Sequence, residues 1–359
     1  MKISTTKLQA MMTKVVKGVG NNKLIPITSL IGITVEDGTL TIVSTDSTNY
    51  LYASEDIGEK TNFYVCVKAD QFAKLVSKMT SEYITLTIKD NYLEVKGNGT
   101  YSIEIPLDEN GEMVEYPNPI ANLEDKITCK EKIEISTIKT ILASVKNGLA
   151  TTTDYPQLTN YYFGENVVAT NQKKINALAK KITDSPILVS SVLVDLLDTI
   201  TDEVVDMIVY EGGDIEFVSE AVTLFGHVAE GIDEFPIDAL NSLISKDYNN
   251  YCKVSKLELL QVLDRISLFV DDYDKGAISL SFGDALTIRS NKLNSEEAIA
   301  YRESNATPSD VYTVYIDIEM LQSQIKSQES DTVTIYFGED KAIKLVDGDL
   351  TFIIALIQK

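Results

Sequence analysis

The sequence predicts an α+β fold made of three tandem copies of one small domain. Two observations carry this prediction: strand-like segments recur along the 359 residues, and amphipathic helices recur just ahead of them. A chain of this length exceeds one hydrophobic core, because single domains typically hold about 150 residues. We therefore expect several cores, one in each copy.

The most regular recurrence is a strand with alternating side chains that runs through a polar turn into a second strand. The three first strands are 81–88, 202–209 and 330–337. Ile84, Val205 and Val333 occupy equivalent positions in them, and alternation of this kind is typical of a strand with one buried face. The turns are rich in Gly, Asp and Asn, which favour hairpins.

Two helices accompany each strand pair. The helix ahead of the pair has an apolar stripe in the first two copies and a less regular one in the third, and a second helix opens each copy. The stripes ahead of the strands are Phe72, Leu75, Val76 and Met79, then Leu193, Leu196, Leu197 and Ile200, then Met320 to Ile325. Those of the opening helices are Leu8, Met11, Met12 and Val15, then Ile138, Ile141, Leu142 and Val145, then Leu259, Leu263 and Ile266.

An acid-aromatic-proline triplet marks the boundaries between copies. It occurs as Glu115-Tyr116-Pro117 and again as Glu234-Phe235-Pro236, each followed by a short linker. These positions predict domains at residues 1–122, 123–245 and 246–359.

The bulk composition limits the classes of protein that fit. With 54 acidic and 32 basic residues the net charge is −22, which argues against nucleic acid as a partner unless basic groups are locally concentrated. Such concentration is compatible with the total, because salt screens exposed charges beyond about 8 Å. No long apolar run or signal peptide is present, so we expect a cytoplasmic protein without a membrane partner. Cys66, Cys129 and Cys252 are too scattered to indicate a disulfide framework or a zinc site.

Basic side chains recur on the helix faces opposite the apolar stripes. The strongest signal lies in the first copy, and it fades in the other two, where Asp195 and Asp198 occupy such a face. The basic residues on these faces are Lys7, Lys14, Lys17, Lys74, Lys78, Lys139, Lys146, Arg265 and Lys326. Solvated helix surface is the alternative interpretation of each of them taken singly.

Signals for catalysis are weak, and we expect a protein that is not an enzyme and uses no cofactor or metal. His227 is the single histidine and has no nucleophile beside it in sequence, so a structural role is favoured. No Gly-rich phosphate loop occurs. The acidic groups Asp271, Asp272 and Asp274, and Asp347 with Asp349, do not follow a calcium-loop spacing and are interpreted as solvated loops.

Taken together, the triplicated pattern and several short segments resemble the bacterial DNA polymerase III beta sliding clamp family. The resemblance is strongest at Ile25-Pro26-Ile27, at Gly38-Thr39-Leu40 and in the Glu234-Phe235-Pro236 triplet, and it covers essentially the whole chain. It implies a head-to-tail homodimeric ring around double-stranded DNA, with a DNA polymerase and a clamp loader as further partners. The basic helix residues named above would then be DNA-facing, and Lys23 would be a further phosphate contact in the loop where the family usually has arginine. Binding to DNA would be nonspecific, through phosphates. The strand around Tyr101 to Glu104 is the candidate edge for pairing between subunits.

The resemblance also implies a cleft between domains 2 and 3 that receives a short apolar peptide from client proteins. Matched by position, its wall comprises Leu158, Thr170, Gln172, Lys173, Lys174, Ile175, Pro236, Leu240, Asn241, Ile353, Ala355, Leu356 and Ile357. Simple strand core is the alternative for its apolar members. The turn Asn171-Gln172-Lys173-Lys174 and the ending Ala355-Leu356-Ile357-Gln358 both depart from the family pattern, which puts client preference in doubt.

Two functions follow from these observations. The first is a sliding clamp that tethers the replicative DNA polymerase for processive synthesis. The alternative is a protein that keeps the clamp fold for structural or interaction purposes without encircling DNA, for which the acidic face of Asp195 and Asp198 is the main support.

Overall fold

The computed structural model describes residues 1–58, 61–121, 123, 126–152, 154–227, 232–270, 276–290, 295–306, 311–338 and 341–358. Within these ranges one pattern of strands and two helices occurs three times. Copy 1 contains β1 (Lys2–Ser4), α1 (Thr5–Val15), β2 (Leu30–Glu36), β3 (Thr39–Thr45), β4 (Asn49–Asp56), β5 (Phe63–Lys68), α2 (Ala69–Ser77), β6 (Tyr83–Lys89), β7 (Tyr92–Lys96) and β8 (Thr100–Glu104).

Copy 2 repeats this order with shorter strands. It contains β9 (Ile127–Glu134), α3 (Ile135–Val145), β10 (Asn160–Phe163), β11 (Val167–Thr170), β12 (Lys174–Leu178), β13 (Ile187–Ser190), α4 (Ser191–Leu196), β14 (Val204–Tyr210), β15 (Ile215–Val218) and β16 (Val222–Gly226). A helix, α5 (Ile237–Ile244), leads from copy 2 into copy 3.

Copy 3 follows the same order with one added two-residue strand, β21. It contains β17 (Asn250–Ser255), α6 (Lys256–Ser267), β18 (Ala277–Phe282), β19 (Leu286–Ser290), β20 (Glu296–Ile299), β21 (Glu303–Ser304), β22 (Tyr312–Asp317), α7 (Ile318–Lys326), β23 (Thr332–Phe337), β24 (Ala342–Asp347) and β25 (Leu350–Ala355). The predicted α+β class and its threefold repeat are confirmed.

The predicted helix stripes form the cores, because each helix buries one face on strands of its own copy. Leu8, Met12 and Val15 of α1 are buried, as are Leu259, Leu263 and Ile266 of α6. In copy 2 the helix is cut short: α4 ends at Leu196, and a 3-10 turn continues the stripe through Leu197–Thr199. None of the helices in the described ranges combines the length and apolarity needed to cross a membrane.

The strands form two long sheets and two short ones. The long sheets have the orders β5-β2-β3-β4-β16-β15-β14-β9 and β13-β10-β11-β12-β25-β24-β23-β17-β21, and the short ones β1-β6-β7-β8 and β20-β19-β18-β22. Each long sheet therefore joins strands of two copies. By their contacts the residues form two compact units, Met1–Lys139 with Val189–Val228 and Thr140–Leu188 with Ala229–Lys359, so the units follow the sheets and not the sequence repeat.

One strand pairing makes each join between copies. In the first unit β4 of copy 1 pairs antiparallel with β16, the last strand of copy 2. In the second unit β12 of copy 2, which is equivalent to β4, pairs antiparallel with β25, the last strand of copy 3. Copy 3 has its own equivalent, β20, and copy 1 has its own last strand, β8, and both lie at sheet edges in the described structure.

Candidate functional site

The residues predicted for a client cleft meet in the second unit, beside the join of β12 with β25. A hydrophobic cluster, here called the cleft cluster, contains Leu158, Tyr162, Val168, Ile175, Ala177, Leu188, Phe235, Leu240, Ala342 and Ile353. Four predicted residues belong to it, namely Leu158, Ile175, Leu240 and Ile353. All four side chains are buried, so they form a floor and not an exposed wall.

Aromatic stacking organises this floor. The rings of Tyr162 and Phe235 lie 5.2 Å apart, centroid to centroid, and are inclined by only 10°. Beside them opens a cavity of about 720 Å³, whose lining includes Pro236 together with Ile232 and Ile237, two half-buried apolar side chains. Three carboxylates, Asp233, Glu234 and Asp238, also line the cavity. Apolar walls with a few polar groups are typical of a site for a short peptide segment. Sequence reasoning missed Tyr162, Ile232 and Ile237, and the triplet containing Phe235 was the one signal that pointed to this region.

The turn between β11 and β12 carries the predicted polar residues. Asn171 Oδ1 accepts hydrogen bonds from the backbone N–H groups of Lys173 (3.1 Å) and Lys174 (3.0 Å), which fixes the turn. Gln172 is exposed and has a φ of 73°, in the left-handed region. Thr170 is buried and its hydroxyl donates to the carbonyl oxygen of Lys174 (2.9 Å). Thr170 is therefore structural, whereas Gln172 and Lys173 present side chains to solvent.

Lys174 points into the protein instead of solvent. Its Nζ donates to Asn147 Oδ1 at 2.9 Å, and burial lowers the pKa of its ammonium group. Asn147 lies next to Gln324, with an Nδ2 to Oε1 distance of 3.5 Å, and the fully buried Gln324 donates to Asn176 Oδ1 at 2.6 Å. This chain of polar groups ties copy 2 to α7 of copy 3.

The last predicted cleft residues follow β25 and leave the cleft cluster. The backbone N–H of Ala355 donates to the carbonyl of Lys173 (2.8 Å), so this end stays beside the β11–β12 turn. The backbone N–H of Ile357 donates to the carbonyl oxygen of Tyr315 (2.8 Å). The side chain of Leu356 packs on the hydrophobic core of copy 3. Asn241 is exposed on α5. The structure thus gathers Leu158, Ile175, Leu240 and Ile353 in the cleft cluster, beside the cavity that Pro236 lines, and places Leu356 elsewhere.

Several of the predicted DNA-facing cations are paired within their own chain. In copy 1, Lys7 forms a salt bridge with Glu55, and Lys74 forms one with Asp70 at 2.8 Å. In copy 2, Lys139 pairs with Asp198 at 2.9 Å, so the acidic face noted in the sequence is partly neutralised. In copy 3, Arg265 holds Glu297 with both Nε and Nη2.

The remaining candidates differ in their surroundings. Lys17, Lys23 and Lys78 are exposed and Lys14 is half-buried, and within the described residues none of these four has a carboxylate partner. Lys326 is likewise exposed, at the end of α7, and Lys146 lies in the turn after α3. Exposed cations carry a field that paired ones largely lose, and four of these candidates, Lys14, Lys17, Lys23 and Lys78, lie in copy 1.

The two helices of copy 1 are held together next to these lysines. Gln9 of α1 donates through Nε2 to the carbonyl oxygens of Val76 (2.9 Å) and Met79 (3.0 Å) at the end of α2. The side chain of Gln9 thus links α1 to the backbone at the end of α2, where the Val76 carbonyl also accepts from the Met79 N–H. Lys78, the residue that ends α2, lies between these two acceptors in sequence and is therefore on a well-fixed backbone.

Two titratable groups noted in the sequence, Asp347 and His227, have hydrogen-bond partners in their own units. Asp347 accepts hydrogen bonds from the backbone of Glu329 (2.6 Å) and from Ser330; burial acts to raise its pKa, but these bonds outweigh it and the pKa is lowered. His227 Nδ1 lies 3.2 Å from Asp214 at a sheet end. Asp271, Asp272 and Asp274 lie outside the described residues. Across the part of the chain that is described, no group of three or more His, Cys, Asp or Glu residues is arranged to hold a metal ion.

The chain has the fold of solved bacterial DNA sliding clamps. The chain is similar to the DNA polymerase sliding clamp of Bacillus subtilis, with 18% identity, a TM-score of 0.83 and coverage of 100% of this chain and 98% of that one. It is also similar to the beta subunit from DNA polymerase of Streptococcus pyogenes, with 17% identity, a TM-score of 0.82 and coverage of 100% of this chain and 99% of that one. For the DNA polymerase sliding clamp of Pseudomonas aeruginosa the identity is 14%, the TM-score is 0.81 and the coverages are 100% and 99%. No curated protein matches the chain in sequence.

The sequence itself identifies the family in the first copy. Residues 1–118 match the family described as the N-terminal domain of the DNA polymerase III beta subunit. Residues 1–118 thus match this family, as the resemblance indicated, and over its whole length the chain has the fold of the sliding clamps that it matches.

Proposed function

We propose that this protein is a sliding clamp: two chains close head to tail into a ring around duplex DNA and tether a DNA polymerase to it. The observation that supports this most directly is the pair of unused edges, β8 and β20, which match the strands joined inside the chain. The proposed domains are residues 1–122, 123–245 and 246–359. The role is tethering and needs no catalysis, and a clamp loader is the proposed partner for opening the ring.

The internal joins give the rule for closing the ring. Each one pairs the strand equivalent to β4 with the last strand of the following copy. Applied to copy 3, the rule pairs β20 with a last strand that only another chain can supply, namely β8. Two chains related by a twofold axis satisfy both open edges at once, and closed pairing removes edges that would otherwise promote aggregation.

Side chains next to the proposed seam fit this pairing. Asn147 is the thirteenth residue from the start of α3, and Leu268 is the thirteenth from the start of α6. Gln324, which contacts Asn147, is the seventh of α7, and Leu75 is the seventh of α2. At the proposed seam, Leu268 takes the place of Asn147 and the partner's Leu75 takes the place of Gln324. An apolar contact therefore replaces the polar contact that occurs inside the chain. Leu268 is 78% exposed in the single chain, as an uncovered interface residue would be.

Retention on DNA of defined topology tests this function. We expect a solution mass of two chains and, after loading, slow loss from nicked circular DNA but fast loss when the same DNA is linearised, because a ring slides off free ends. A monomeric mass, or equal loss from both forms, would contradict the proposal and favour the alternative of a clamp-fold interaction protein. The self-paired cations Lys7, Lys74, Lys139 and Arg265 are the observation that keeps this alternative open.

We further propose that the cavity at the cleft cluster binds an apolar peptide of the polymerase and other clients. The support is its stacked aromatic floor and its half-buried rim residues Ile232 and Ile237. A peptide leucine or phenylalanine placed there gains about 1.5–3 kcal/mol from burial. The exposed Gln172 and Lys173 would contact polar groups of the same peptide.

Replacing Ile237 with aspartate should weaken peptide binding at least tenfold, because the carboxylate would lose water when the cavity is filled. Isothermal titration with a five-residue peptide that contains two leucines and a phenylalanine measures this. Leu243→Asp is the matched control, because Leu243 is exposed on the same helix and does not line the cavity. Equal affinity in both variants would reject the cleft.

A further inference from the structure

A second groove lies in the first unit, on the outer side of the sheet formed by β2 and β3. Its volume is about 1190 Å³, and its walls are the β2–β3 hairpin, the start of β5 and the segment from Glu112 to Asn118. Tyr52, Tyr64 and Tyr116 form part of its surface. Nothing proposed above for DNA or client binding uses these residues.

The groove lies over a cluster that is the repeat equivalent of the cleft cluster. When equivalent strands of copies 1 and 2 are aligned, five buried residues of this cluster match five residues of the cleft cluster. One of the five is the aromatic residue of the acid-aromatic-proline triplet. The pairs are Val43 and Val168, Tyr50 and Ile175, Cys66 and Leu188, Tyr116 and Phe235, and Phe225 and Ile353. The chain thus builds the same kind of apolar floor twice, once beside each internal join.

One difference in sequence between copy 1 and copy 2 opens the groove. Gly32 stands in β2 where Tyr162 stands in β10, and the ring of Tyr116 lies against this glycine. A Cβ atom at Gly32 would come within 3.0 Å of Tyr116 and 2.9 Å of Val43, so a larger residue would push the ring outward. Without a ring equivalent to Tyr162, the space above Tyr116 stays empty.

Hydrogen bonds hold the aromatic residues in place. The Tyr116 hydroxyl donates to the Leu30 carbonyl (3.2 Å), and its backbone N–H donates to the Tyr64 hydroxyl (2.7 Å). Tyr64 in turn donates to the Val114 carbonyl at 2.8 Å, and burial raises the pKa of its hydroxyl, which keeps it protonated. The floor is therefore preformed, and little conformational entropy is lost when a ligand binds.

The charge of the rim identifies the ligand. Four exposed carboxylates line the groove, Glu36, Asp37, Glu112 and Glu115, whereas none of its described lining residues is Lys, Arg or His. Within the described residues none of the four has a cationic partner. Aromatic faces also attract ammonium and guanidinium groups, at about 0.5–2 kcal/mol each. The acidic rim and the aromatic floor therefore both favour a ligand that carries a cation next to apolar groups.

We propose that this groove is a second peptide site, which binds a short segment of a partner protein with lysine or arginine alternating with aliphatic residues. The aliphatic side chains would pack on Tyr116 and Val43, and the cations would reach Glu112 and Glu115 on one side and Glu36 on the other. The inference uses neither the ring nor DNA, so it stands or falls separately from the proposed function.

Binding of the probe Ac-Leu-Lys-Leu-Lys-Leu-amide, measured by isothermal titration, tests the proposal. We expect one high-affinity site per chain and at least tenfold weaker binding of Ac-Leu-Glu-Leu-Glu-Leu-amide. The double variant Glu112→Lys with Glu115→Lys should lose at least tenfold in affinity for the lysine peptide. Both positions are exposed, so the variant should fold with an unchanged melting temperature.

The matched control is Glu211→Lys with Glu220→Lys, which makes the same charge change at exposed positions outside the groove. It should change affinity less than twofold. Equal losses in both double variants would show attraction to net charge alone and overturn the proposal. A photo-crosslinking version of the peptide should label residues 34–64 or 112–118, and labelling confined to the cleft around Phe235 would also overturn it.

Discussion

Leu268→Asp will turn the dimer into a monomer. The proposed ring contains two identical seams, so one substitution would remove an apolar contact and introduce a buried charge twice. If each seam loses about 3 kcal/mol of association free energy, the dissociation constant of the dimer rises on the order of 10⁴-fold. Analytical ultracentrifugation at micromolar concentration measures the change in mass, and retention on circular DNA should be lost with it.

Leu257→Asp is the control for this result. Leu257 lies at the other end of α6 and is 68% exposed, so the same chemical change is made on the same helix. It should leave the dimer intact. A dimeric Leu268→Asp protein would show that the strand pairing rule inside the chain does not extend to a seam between chains.

The triple variant Lys14→Glu, Lys17→Glu and Lys78→Glu will lose most of its electrostatic attraction to DNA while remaining a dimer. Each lysine that contacts a phosphate contributes about 0.9 to the slope of log affinity against log salt. Three lost contacts therefore reduce the slope by about 2.7. Equilibrium affinity for a short linear duplex, on which a ring is not trapped, gives this slope when it is measured at salt concentrations from about 50 to 200 mM.

Its control is Lys126→Glu, Lys132→Glu and Lys180→Glu, three exposed lysines outside the helices. The control keeps the wild-type slope if contact with DNA is made by the helices of copy 1. The same reduction in both triple variants would mean that only total charge matters.

Much of the fold was predictable because its signals are local. Side-chain alternation in the strand at Ile84 and the helical spacing of Phe72 and Val76 depend on residues close in sequence, and all three are buried as predicted. The joins between copies were not predictable in this way. The pairing of β4 with β16 brings together residues far apart in the chain, and no local pattern encodes its register.

The candidate sites show the same limit. Leu158, Ile175 and Ile353, which resemblance assigned to one cleft wall, share one buried cluster, and the alternative of simple strand core also predicts this burial. Neither interpretation indicated that Tyr162 stacks on Phe235. The assignment of cations to DNA suffered more. Helical spacing showed that Lys139 and Arg265 lie on polar faces, yet their pairing with Asp198 and Glu297 depends on neighbouring elements that sequence periodicity does not specify.

The contact of Asn147 with Gln324 has a consequence for how the molecule assembles. Copies 2 and 3 share one chain, so their effective concentration for each other is in the millimolar range, and a polar contact that fixes geometry is enough. Two separate chains meet at far lower concentration. At the proposed seams between chains, leucine occupies the equivalent positions, Leu268 and Leu75. Burial of these side chains would supply association free energy that the internal joins do not need, because one chain connects their copies. Dilution should therefore open the seams between chains and leave the internal joins closed.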